Sequence, residues 1–88
     1  MTEPETPAQP DVRELVRRYA DKDGRRVALV RGLDFGAHAQ VDCDVYPVHG
    51  VGDEPRRAGP YIFRTAGEAL RFVDEAALAL RYLGCNVT

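Results

Sequence analysis

Residues 37–46, Ala-His-Ala-Gln-Val-Asp-Cys-Asp-Val-Tyr, decide the fold expected of this chain, because apolar and polar side chains alternate along them. Period two puts Ala37, Ala39, Val41, Cys43 and Val45 on one side of an extended backbone and His38, Gln40, Asp42, Asp44 and Tyr46 on the other. A strand that is dry on one face and wet on the other belongs to an antiparallel sheet covered on a single side. Pro47 limits the run, since it has no N–H to give to a ladder.

Working upstream, Arg26–Arg31 encloses Val27, Ala28, Leu29 and Val30, a short β-leaning run. Gly32 to Gly36 reads as the turn that joins it to 37–46 as a hairpin. Before it, Asp11 is placed to cap a helix, with Glu14 three residues later and Pro10 blocking extension. Val12, Leu15, Val16 and Tyr19 fall at i, i+3, i+4 and i+7, and Asp21 to Gly24 would close the element. The spacing therefore predicts a first helix over 11–23.

Working downstream, 49–59 has no usable period and is expected to be a long mobile hairpin loop. A third strand is predicted at Tyr61–Arg64. Thr65 with Glu68 three positions on is a capping box, and Ala66, Ala69, Leu70, Val73, Ala76, Ala77, Leu80 and Leu83 keep helical spacing as far as Gly84. The expected architecture is α+β: a two-layer α-β-β-β-α domain over 11–88, its three-stranded antiparallel sheet carrying both helices on one face. Residues 1–10, polar and rich in proline, are expected to form a disordered tail.

This succession and size resemble the double-stranded RNA-binding domain, which reads RNA through phosphate and 2′-hydroxyl contacts. That family starts its second helix with lysines. Here the corresponding residues are Thr65, Ala66, Gly67, Glu68, Ala69 and Leu70, so the resemblance implies shared architecture without the binding residues.

Composition excludes more than it assigns. At 88 residues and 9.8 kDa there is room for one small core, and domains of this size bury only about 60% of their unfolded surface, which makes dimerisation a natural supplement. The net charge of −2 speaks against coating nucleic acid or an anionic membrane. The charge is uneven: +3 over 11–31, −5 over 32–54 and +2 over 55–88, as complementary surfaces on one or two copies would require. No apolar run approaches the roughly 20 residues that span a bilayer. The polar N-terminus and the two cysteines outside any Cys-x-x-Cys pair fit a cytoplasmic protein with free thiols.

Three sets of residues could carry function. His38, Gln40, Asp42, Asp44 and Tyr46 share the wet side of a strand, but neighbours along one strand are about 6.7 Å apart, too far to share a metal without help from elsewhere; His49 would have to fold back from its loop. Arg13, Arg17 and Arg18, with the loop pair Arg56 and Arg57, form the candidate anion or nucleic-acid contact, thinned by interleaved acids. Phe72, Leu78 and Tyr82 exceed what a one-sided helix needs and mark a contact patch. With no serine in the chain and no phosphate-binding glycine loop entering a helix, no catalytic, cofactor or metal set is assigned. The expectation is a non-catalytic protein-interaction module, homodimeric or bound to another protein; the alternatives are weak RNA or DNA binding through the basic residues and, with least support, a small enzyme or metal-binding protein using Asp42 and Asp44.

Overall fold

In a computed structural model, which describes residues 11–47 and 54–88, the path of the chain is set at Asp23 and Gly24. Both take positive φ, 53° and 79°, as the two-residue turn of a tight hairpin requires. Lys22 therefore faces Arg25, and the residues on either side pair as strands β1 (Arg13–Lys22) and β2 (Arg25–Asp34). The predicted first helix over 11–23 does not exist.

The reason is a β-bulge. Leu15 is an extra residue on β1, since Glu14 pairs with Leu33 while Val16 pairs with Gly32. A Cβ built on Gly32 would lie 3.1 Å from Val16, 3.7 Å from Val73 and 3.9 Å from Leu15, so Leu15 and Val16 turn the same way. Two adjacent inward residues break period two and imitate the i+3, i+4 spacing of a helix.

After β2 the chain returns as β3 (Ala39–Val45), where Ala39 and Val41 are buried as the alternation predicts, although Val45 is exposed. The third predicted strand, Tyr61–Arg64, is the end of a longer β4 (Arg56–Phe63), so residues 56–59 are ladder rather than loop. His49 and the expected tail over 1–10 lie outside the described residues. Pro60 sits in β4 because this is an edge strand, where a missing N–H need not break the ladder.

The predicted second helix is α1 (Ala66–Tyr82). Thr65 Oγ1 accepts the N–H of Glu68 at 3.1 Å, and the Glu68 carboxylate accepts the N–H of Arg64 at 3.2 Å, a capping box displaced by one residue. Gly84, at φ 92°, turns the chain out of the helix. It then adds β5 (Asn86–Val87) beside β1, where Tyr19 and Thr88 exchange both backbone bonds at 3.2 and 2.9 Å.

The described residues form a five-stranded antiparallel sheet in the order β4-β3-β2-β1-β5 with a single helix, not a three-stranded sheet with two. The resemblance to the double-stranded RNA-binding domain falls with that order. Ala69 and Val73 on the underside of α1 cluster with Val30, Ala39 and Val41 of the sheet, Ala20 and Ala28 cluster with Cys85 just past the helix, and Ala77 is buried as well. Burying a valine as fully as Val41 and Val73 contributes roughly 2 kcal/mol each. Cys43 and Cys85 are free thiols. No helix among the described residues is long and apolar enough to cross a membrane.

Candidate interaction surface

One face of the sheet carries α1, and the other carries no helix among the described residues. Alternation along β3 puts Gln40, Asp42 and Asp44 on this second, bare face, together with Arg31 opposite Asp42 and Arg57 opposite Asp44. The carboxylate of Asp42, nearly buried, lies 3.8 Å from Arg31 and 3.7 Å from Arg57, and Arg57 also reaches Asp44 at 2.9 Å. On β1, Arg17 meets Glu14 at 2.8 Å and donates to the Tyr19 hydroxyl at 3.3 Å. That hydroxyl first, and Glu14 second, hold the guanidinium above its usual pKa. Arg26 pairs with Asp21 and lies 4.5 Å over the Tyr19 ring. Four guanidiniums and four carboxylates thus neutralise one another across the bare face.

The two other members of the wet-side set lie at the ends of β3, outside the ion-pair network. His38 stacks on Phe35 at 5.0 Å in the β2–β3 turn, with its Nε2 3.2 Å from the Gln40 side-chain nitrogen. Tyr46 lies past β3 and gives its N–H to the Val27 carbonyl. Among the described residues no three His, Cys, Asp or Glu side chains come together as a metal-binding cluster.

The basic set is dispersed. Arg17 and Arg18, adjacent in a strand, point to opposite faces, and the Arg18 Nε is buried without a hydrogen-bond partner among the described residues. Arg13 is engaged by Asp34 at 3.1 Å. Arg56 and Arg57 belong to β4, with β3 and β2 between them and β1. These five side chains form no common phosphate surface.

The helix set divides too. Phe72 packs between Tyr61 and Phe63, both at 5.3 Å, and fills the flank between α1 and β4. Leu78 and Tyr82, 52% and 83% exposed, stay on the outside of α1 beside Leu83. They are large apolar groups in water, one turn apart.

The sheet edges make a fourth surface, one that helical reading of 11–23 had hidden. Tyr19 turns both its backbone groups away from β2 and toward Thr88. Arg17, two residues back with no bulge between, turns its own outward in the same sense. β5 pairs no further along β1 than this, so Arg13–Arg18 has no strand beside it among the described residues. The signal that could have revealed this edge was the Asp23-Gly24 dipeptide, a strong hairpin marker. Comparison of the chain with known protein families, curated proteins and solved structures finds no match.

Proposed function

We propose that this domain is a non-catalytic protein-interaction module of the cytoplasm, and that it works by accepting a strand from another polypeptide along the outer edge of β1. The observation that carries this reading is the uncovered stretch Arg13–Arg18, held in line by β2 on one side and bounded by Thr88. Unpaired ladder groups on an otherwise ordered strand are a template for strand addition. The alternative, RNA or DNA binding, draws less support, because the arginines that would touch phosphate are already neutralised by carboxylates or split between faces.

Nuclear magnetic resonance of uniformly ¹⁵N-labelled protein tests the reading. Spectra are recorded over rising concentration and in clarified cell lysate. Amide perturbations are expected to gather at Arg13–Arg18 and to vanish in Arg17→Pro, which removes one outward N–H. Perturbations confined to Leu78 and Tyr82, or none at all, would move function away from the edge.

A further inference from the structure

We infer that the strand received along β1 is β1 of a second copy, running antiparallel about a two-fold axis between Leu15 and Val16, with Glu14 facing the partner's Arg17. This inference rests on the strand-addition reading and names its occupant.

The bulge supplies the first argument. Glu14 pairs with Leu33, and Arg17 with Arg31, at the two alternate positions of β2 that leave β1 groups pointing outward. Because Leu15 is extra, those outward positions stand three residues apart instead of two. A regular strand laid against this edge is out of step by one residue. A second β1 carries the same interruption at the symmetry-related place, so the two ladders match in length. The bulge that repels ordinary strands admits its own copy.

Charge supplies the second argument. Glu14 and Arg17 both lie on the bare face, where they already meet at 2.8 Å within one chain. In the two-fold register each also faces its opposite in the other copy, twice over. On the helix-bearing face Arg13 comes opposite the partner's Arg18, and Asp34, 3.1 Å from Arg13, supplies a carboxylate to offset the pair.

The slot itself supplies the third. Pairs run from Arg13 to Arg18 in both copies, and the next position along, Tyr19, is taken by Thr88. Sliding the register one way drives the partner into Thr88, and sliding it the other way opens the ladder. Facing residues share a face, so both helices end on the same side of one continuous sheet. Six residue pairs make a small interface beside the ~1,600 Å² of standard complexes, and a Kd on the order of 10 to 100 μM is expected.

Two charge reversals test the register. Glu14→Arg and Arg17→Glu are each expected to weaken self-association by at least about tenfold in sedimentation velocity, because each sets like charges across the axis twice. An equimolar mixture of the two variants is expected to recover wild-type affinity, since every facing pair is again of opposite sign. An ion pair confined within each chain gains nothing from mixing. The corresponding reversals at Arg71 and Glu75 on α1 control for net charge and are expected to change neither homotypic nor mixed association.

A wild-type dimer whose variants show no recovery on mixing overturns the register while strand addition stands. A wild type that stays monomeric into the millimolar range overturns the second copy as occupant. If lysate still perturbs Arg13–Arg18 in that monomer, strand addition survives; if it does not, both fall.

Discussion

The two edges of the sheet solve the same problem in different ways. At β4 the edge is blunted within the strand: Gly59 and Pro60 stand against Asp42 as an irregularity in the ladder, and Arg56 and Arg57 add charge. At β1 the edge is covered from outside, by β5, and only as far as Tyr19. A blunted edge disfavours any added strand. A half-covered one is open over a fixed length, and length and bulge together decide what fits.

The contrast can be broken from either side. The largest effect is expected at Arg18, whose N–H points into the β1–β2 ladder. Arg18→Pro removes that bond and strands a buried carbonyl, so urea denaturation should show a loss of about 2 to 3 kcal/mol. Gly59→Ala attacks the β4 edge. Its φ of 95° is left-handed, and the added methyl would sit 3.0 Å from the Val41 carbonyl oxygen. A loss of about 2 kcal/mol by the same measurement, with self-association unchanged, would separate the two edges. Arg57→Ala leaves Asp42 with Arg31 alone at 3.8 Å and frees Asp44; since Arg57 is half exposed, about 1 kcal/mol is expected. Arg17→Pro should cost less than about 1 kcal/mol, because its N–H bonds no strand, yet it should abolish association in sedimentation. Equal destabilisation by Arg17→Pro and Arg18→Pro would erase the distinction on which the open edge depends.

The smallest effect concerns the thiol beneath the β3–β4 pair. Burial, then Asp42 and Asp44, push the Cys43 pKa up. A raised folded pKa means that the native state holds the proton more tightly than the unfolded chain. Its contribution is complete below the ordinary thiol range and is lost as pH rises through the folded value. Stability should therefore begin to fall above about pH 8.5, and Cys43→Ala should flatten that slope in denaturation midpoints taken from neutral to alkaline pH.

What the sequence disclosed follows from which signals were local. Thr65 and Glu68 cap a helix within four residues and the helical spacing continues for 17, so α1 was legible to within a residue at its start. The alternation at Ala39, Val41 and Cys43 likewise predicted which side of β3 meets the core. β1 was misread because its period is broken by Leu15, and the surviving pattern matched a helix. Gly24 fits either a helix terminus or a hairpin turn. The choice belongs to Asp23, whose φ of 53° is tolerated by a short polar side chain. β5, two residues long, has no period to read and is fixed by its bonds to β1. Of the candidate residues, Asp42, Asp44 and Arg57 do meet, whereas Arg17 and Arg18 were joined only on the assumption of a helix.

Five of the nine buried apolar residues among those described are alanine: Ala20, Ala28, Ala39, Ala69 and Ala77. Between α1 and the sheet, Ala39 and Ala69 therefore fill little space beside the branched Val30, Val41 and Val73. Enlarging Ala39 or Ala69, both fully buried in that cluster, would overpack it and press the rod away from the sheet. Strand curvature is then tied to helix tilt, so small changes in this alanine layer would alter the angle at which the distant margin of the sheet is presented.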